Sequence, residues 1–260
     1  MHAAERQDLI IELLRERGFI GFRELDHLLD ASPATIRRDL ERMAESGQVE
    51  RVHGGARLAV PAVPPMARSG LTGVPFHENV ALYAAEKIVI GRAAAALCAP
   101  GDAVIIDGGS TTLQMCPHLE ELELQVLTNS LHIVSALLGQ RGTRISVPSG
   151  TIFREQNIIL SPFEDDGAGR FHATRMFMGG AAINRHGLLQ ADTLLVQAER
   201  RLMERADEIV ALVDHSKFKG SAGHLVCGLA DIDVVITDTS TREEDIATVR
   251  AAGCRVIIAS

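Results

Sequence analysis

Along the first 58 residues, apolar side chains recur at helical spacing. Leu9 and Leu13, with Ile10 and Leu14, repeat every four residues and predict one helix. Leu25, Leu28 and Leu29 predict a second, short one; Ile36, Leu40 and Met43, at i, i+4 and i+7, predict a third. Gly18 ends the first helix and Gly47 the third, while Ser32 caps the third and Pro33 suits its first turn. In residues 48–58, Val49 and Val52 flank charged residues before Gly54 and Gly55, the pattern of a hairpin. Three helices, a short turn at Asp30, Ala31 and Ser32, and a hairpin predict a winged helix-turn-helix over residues 1–58.

The pattern vanishes over residues 59–80. Pro61, Pro64, Pro65 and Pro75 fall there with Ser69, Gly70 and Gly73, so the segment reads as a linker. Beyond it, a helix over residues 81–97 leads into runs that are apolar on both faces. They cover residues 103–107, 125–129, 144–148, 175–179, 208–214, 233–238 and 254–259, with helical stretches between them. That alternation predicts an α/β domain over residues 81–260, built on a mostly parallel sheet covered on both sides. Such sheets bind ligands outside the carboxyl ends of their strands. Attention therefore falls on residues 107–112, Thr128, Asn129, Gly150, residues 214–217 and Asp238.

Composition narrows the functions open to this chain. With 260 residues, 46% hydrophobic and 23% charged, two domains with real cores are expected and global disorder is excluded. Aromatics reach only 3%, with no Trp and one Tyr, which argues against base- or sugar-stacking platforms. The net charge of −8 excludes coating nucleic acid by bulk charge but not a local basic surface. Residues 1–58 hold nine arginines against eleven acids, and five of the arginines lie between Arg37 and Arg57. On the third helix, Ser32, Ala34 and Thr35 are small enough to let its start enter a DNA groove. Arg37 and Arg38 can reach phosphates or guanine edges, Arg42 is a further DNA-binding candidate off the core face, and Arg51, His53 and Arg57 of the wing could straddle the neighbouring backbone. The alternative is a helical dimerisation or docking domain with a solvated charged face. Cys98, Cys116, Cys227 and Cys254 form no CxxC pair and sit among apolar neighbours, so they read as buried reduced thiols. The ten histidines show no ligand spacing, so neither a metal nor a cofactor is expected. The start of the chain lacks a signal-peptide run, and no stretch approaches the ~20 apolar residues of a membrane span. A cytoplasmic protein with no membrane partner is expected.

Residues 104–115, VIIDGGSTTLQM, read as a strand, a glycine-rich turn and a helix start. Gly108 and Gly109 let backbone N–H groups converge, Ser110, Thr111 and Thr112 add hydroxyls, and a helix start adds partial positive charge. Together they form an anion cradle suited to phosphate. No GK[ST] follows, which argues against nucleotide hydrolysis. The plain alternative is an ordinary capped strand-to-helix turn. Asp107, Thr128 and Asn129 offer hydrogen bonds to a ligand body, and Lys217, just past another strand with Asp214, offers charge; an exposed ion pair is its alternative. A catalytic reading finds little support. Residues 176–184 lack carboxylates; Asp192 and Glu199 are nearby in sequence, but Glu199 lies in a helical run expected to face solvent.

Residues 32–56, SPATIRRDLERMAESGQVERVHGGA, resemble the N-terminal domain of the DeoR family of bacterial transcriptional regulators, and residues 5–18 fit the same pattern. The resemblance continues through DGGSTT, TNS, Ser149-Gly150 and DHSKF, so it covers nearly the whole chain. Gly108 and Ser110 depart from the family's Ser and Thr, and Ser149 replaces one glycine of a pair. The resemblance implies a repressor of a carbohydrate operon that binds double-stranded operator DNA. It also implies a sensor domain like sugar-phosphate isomerases and release by a phosphorylated sugar. Pairing of half-sites implies a homo-oligomer, dimer or tetramer. Residues 158–164, IILSPFE, resemble the ascorbate-utilisation repressor branch. The alternative from another class is a sugar-phosphate isomerase-like enzyme with a fused interaction domain.

Overall fold

The computed structural model describes residues 3–17, 19–29, 31–45, 48–52, 55–58, 76–154, 156–161 and 166–260. The chain divides into two compact units, Met1–Ser69 and Gly70–Ser260.

The first unit runs α1 (Ala3–Arg17), β1 (Phe19–Gly21), α2 (Phe22–Leu28), α3 (Pro33–Glu45), β2 (Val49–Val52) and β3 (Gly55–Leu58). Its core contains Ile10, Leu14, Leu25, Leu29, Ile36, Leu40 and Met43 from among the positions picked out by their spacing, closed by Ile20, Val49 and Ala56; Leu9 and Leu13 pack against it half-buried, and Leu28 is exposed. The wing holds one strand more than expected. β1 pairs antiparallel with β3, Phe19 opposite Arg57, giving a three-stranded sheet. Three residues are too few to show a period of two.

The second unit begins with α4 (Phe76–Ala81), so the expected linker ends in a helix rather than running on to residue 80. Residues 59–75 lie outside the described residues. The expected helix over residues 81–97 is instead α5 (Ala84–Ala95), broken from α4 at Tyr83, whose φ is +53°. The chain continues through β4 (Ala103–Ile106), a 3-10 helix (Thr112–His118), β5 (Gln125–Leu127), α6 (Leu131–Leu137) and β6 (Arg144–Ser146). A hairpin of β7 (Thr151–Phe153) and β8 (Ile158–Leu160) precedes β9 (Ala173–Met178), β10 (Ala182–Asn184) and β11 (Gly187–Gln190). Then come α7 (Thr193–Met203), β12 (Ala206–Leu212), a 3-10 helix (His215–Lys219) and β13 (His224–Cys227). β14 (Val234–Asp238), α8 (Glu243–Ala251) and β15 (Arg255–Ala259) complete it.

All seven expected strands form one parallel sheet, in the order β15-β14-β12-β9-β4-β5-β6. One face packs on α5, the first 3-10 helix and α6 through Ile90, Met115, Leu119 and Ile133. The other packs on α7 and an antiparallel sheet, β10-β11-β13, through Val196, Ile183, Leu188 and Val226. That small sheet and the hairpin were not expected from the sequence, because their strands have only three or four residues. The strand order reverses between β4 and β9: β5 and β6 lie to one side of β4, while β12, β14 and β15 lie beyond β9. A sheet of this kind opens a crevice at such a switch point. Burial pushes the thiols of Cys98, Cys116 and Cys227 up to about 12, which leaves them poor nucleophiles. No helix among the described residues is long and apolar enough to cross a membrane.

Candidate functional site

In the first unit, α3 turns Ile36, Leu40 and Met43 inward, and its opposite face carries Arg37, Arg38 and Arg42, all exposed. Ser32 and Ala34 are exposed and Thr35 half-buried at its start. The Ser32 hydroxyl accepts the Thr35 amide at 3.2 Å and lies 2.9 Å from the Thr35 hydroxyl, so these residues also hold the first turn. The Arg37 guanidinium lies 5.0 Å from the Phe22 ring centre, so α2 positions it. Asp39 points the other way. Buried, it accepts from Arg6 Nε at 2.8 Å and ties α3 to α1. Arg51 and Arg57 fall on the paired strands β2 and β3, and His53 lies outside the described residues.

In the second unit, a cleft of about 260 Å³ opens at the switch point. Asp107, Gly108, Gly109, Ser110, Thr111, Asn129 and Lys217 all line it. The turn after β4 is fixed from beneath. The Thr112 hydroxyl donates to the carbonyls of Asp107 and Gly109 at 2.8 and 2.9 Å. The Gly108 amide donates to Asn129 Oδ1 at 3.1 Å, and the Asn129 side chain also bonds the Asp107 carboxyl. A side chain at 108 would meet the Ile158 side chain of the hairpin at 2.7 Å, so glycine lets the hairpin approach the turn this closely, and the Ser that the family carries here needs Ile158 to shift. Among the described residues nothing takes the amides of Gly109, Ser110 and Thr111, which leaves a small nest of donors at the cleft. Lys217 stands on another wall, half-buried, with no carboxylate at ion-pair distance among the described residues.

Three predicted ligand residues stand elsewhere. Thr112 is buried beneath the turn, its hydroxyl committed to it. Thr128 is buried, and its hydroxyl accepts the Ser130 amide at 3.1 Å. Gly150 underlies the hairpin, where a side chain would strike the Leu160 carbonyl at 2.4 Å. The glycine pair that does reach the cleft is Gly179 and Gly180, just past β9. The segment after the turn is a 3-10 helix with Pro117 inside it, not the expected α-helix, so the nest rather than a long helix dipole supplies the positive potential. Asp238 holds the His215 amide at 2.7 Å, and Asp192 caps α7, so both are structural.

The largest correction is Glu199. It does not face solvent: it is 3% exposed and lines the cleft with Gln190, which donates to its Oε1 at 2.5 Å. Phe76 and Asn79 of α4 form a further wall the sequence did not disclose. Phe76 stacks on His132 of α6 at 4.1 Å, and buried Lys87 donates to the carbonyl and side chain of Asn79. A second hollow, about 480 Å³, is lined by Phe153, Leu160, Leu194 and Arg201 and shares only Asn129 with the predicted ligand residues.

Burial pushes the Asp107 carboxyl up to about 6, against smaller opposing effects of Gly108 and Asn129. The folded value lies above the unfolded one. The stability it carries is therefore full below the ordinary carboxylate value of 3.8 and lost as pH rises through about 6. Replacing Asp107 by Asn removes that loss. We expect Asp107→Asn to gain ~3 kcal/mol at pH ~7.5 and almost nothing near pH ~4. Urea melts at both pH values check this; an equal gain at both would show that charge burial is not the cause.

Residues 6–61 match the model of the DeoR-like helix-turn-helix domain, and residues 83–239 that of the DeoR C-terminal sensor domain. The chain is 29% identical over 257 residues to HTH-type transcriptional regulators UlaR of Shigella flexneri and Escherichia coli K12, covering 99% of each chain. Among solved structures, ribose 5-phosphate isomerase A of Methanocaldococcus jannaschii is 17% identical with a TM-score of 0.37, over 50% of this chain and 52% of that one. Translation initiation factor eIF-2B of Pyrococcus horikoshii is 15% identical with a TM-score of 0.37, over 84% and 67%. With both family domains matched in order and relatives aligned from end to end, the chain belongs to the DeoR family of transcriptional regulators.

Proposed function

We propose that this chain is a repressor of a carbohydrate-utilisation operon and that a phosphorylated sugar in the switch-point cleft releases it from operator DNA. One observation carries the ligand half. An anion nest at Gly109, Ser110 and Thr111 shares a cleft with Lys217, and Asp107 and Asn129 line the same cleft as hydrogen-bonding groups. A phosphate fits the nest and the lysine, and hydroxyls fit the polar floor. The DNA half rests on the exposed Arg37, Arg38 and Arg42 of α3. The protein acts as a homo-oligomer, dimer or tetramer, because a single α3 reads only one half-site. It performs no catalysis in this role.

A thermal-shift screen against phosphorylated sugars finds the ligand, since one at ~100 times its dissociation constant stabilises by ~2.7 kcal/mol. Lys217→Ala then tests the site. It removes a charge-assisted hydrogen bond worth ~1.5–3 kcal/mol, so the ligand concentration that releases operator should rise ~10- to 100-fold. Operator affinity without ligand stays unchanged, because Lys217 lies outside the DNA-reading unit. Release at wild-type ligand concentrations would remove Lys217 from the site.

A further inference from the structure

Glu199 is placed where an ordinary carboxylate has no reason to be. The two residues that follow it on α7 turn away from the cleft: Arg200 donates to the β13 carbonyls of Val226 and Leu225, and Arg201 to the Ser161 carbonyl. Glu199 instead enters the cleft, with Oε1 held by Gln190. Its Oε2 is buried and has no partner among the described residues. The titratable or charged groups facing it are Asp107 at the end of β4, Cys227 on β13, and Lys217 on the opposite wall. Asp107 is itself buried and already bonded by Asn129. Two buried carboxyls facing one cleft do not both ionise without a cation between them. Lys217 makes no ion pair with either. Burial first, and the Asp107 charge second, hold the Glu199 carboxyl well above the usual range, against a smaller opposing effect of Gln190.

We propose that Glu199 is the neutral acid that reads the ligand: its Oε2–H donates to an acceptor oxygen of the bound molecule, while ionised Asp107 accepts from a neighbouring hydroxyl. This rests on the sugar-phosphate reading of the cleft and narrows it. A donor beside an acceptor suits a phosphorylated compound that carries an acceptor-only oxygen, carbonyl or carboxylate, next to a hydroxyl. A polyol phosphate can answer the donor only by turning a hydroxyl that would otherwise serve Asp107 or water. Neutral Glu199 also tolerates a second anionic group that an ionised one would repel.

Two measurements on the full chain decide it. The first needs no ligand: the infrared carboxylic-acid C=O band of the wild type at neutral pH, subtracted against Glu199→Gln. The proposal requires a band that disappears in the variant, and its absence overturns it. The second compares 6-phosphogluconate with sorbitol 6-phosphate, which differ only in carboxylate against hydroxymethyl. Inorganic phosphate serves as the control, and calorimetry is the readout. In a titration upward from neutral pH, wild type should at first favour the gluconate by about tenfold and lose that preference once Glu199 ionises. Glu199→Gln, neutral throughout and still a donor, should keep the preference across that range; Glu199→Ala should lack it. An alanine variant that melts like wild type and still discriminates, or a glutamine variant that fails with it, overturns the proposal. If neither sugar phosphate nor inorganic phosphate binds wild type, the sugar-phosphate reading and the ligand class fall together. The acid itself still stands or falls on its infrared band.

Discussion

Replacing Arg37 and Arg38 together by Ala should lower operator affinity by at least ~100-fold, from ~1–3 kcal/mol of base discrimination per well-placed arginine plus the phosphate bonds both can make. The fold should survive, because both side chains are exposed while Ile36, Leu40 and Met43 anchor the opposite face of α3. Within the protein, the double variant gives up the Arg37 guanidinium over the Phe22 ring, worth ~0.5–1 kcal/mol at an exposed site. The slope of log affinity against log salt separates the two roles. Each phosphate bond removed flattens it by ~0.9, whereas removal of a base-reading group relaxes sequence preference with little change in slope. Fluorescence anisotropy on operator and scrambled duplexes at several salt concentrations measures both. A folded double variant with wild-type affinity would move DNA reading off this helix.

The second large effect belongs to a residue that never meets DNA. Asp39 sits between the two candidate DNA-reading arginines and Leu40, yet its carboxylate is buried against Arg6 of α1. Breaking a buried pair by removing one partner costs ~3–5 kcal/mol, because the remaining charge stays in the interior. Asp39→Ala should therefore unfold the first unit at lower urea while the second unit, with its separate cores, melts where it did. Operator binding should fail, and ligand binding in the switch-point cleft should persist. Asp39→Asn, which still accepts a hydrogen bond, should lose less. If the alanine variant melts like wild type, the pair contributes nothing and α3 is held by its apolar face alone.

The two arginines and Asp39 belong to one short motif, and the spacing of Ile36, Leu40 and Met43 separates their roles. Positions 37 and 38 fall away from that stripe, whereas 39 lies beside it and turns inward. The parallel sheet was equally legible, since strands buried on both faces show as unbroken apolar runs. The glycine-rich turn after β4 was legible as a turn at a strand end, because Gly108 and Gly109 break the apolar run there. The short strands β1, β7, β8, β10 and β11 were not, because three or four residues carry no readable period. Thr112, Thr128 and Gly150 were assigned to the ligand because strand ends attract that reading. Distances alone show that their bonds and close approaches are spent on holding the turn and the hairpin.

By itself, then, the order of residues determined which segments become helix, strand and turn, where the exposed arginines of α3 fall, and which strand end carries the glycine-rich turn. These are local properties, set by periodicity, by caps and by glycine. Tertiary structure alone decided what shares the cleft. Gly179 and Gly180 arrive there because the strand order reverses between β4 and β9, and Phe76 and Asn79 because α4 is pinned to Lys87 and His132. Glu199 is the clearest case. In sequence it is one acid in a charged helix, and only the tertiary packing that places α7 at the cleft beside Asp107 takes it out of water. Its chemistry comes from that burial and from the neighbouring Asp107, which lies 92 positions earlier in the chain. A solvation environment built from residues so far apart has no local pattern to be read.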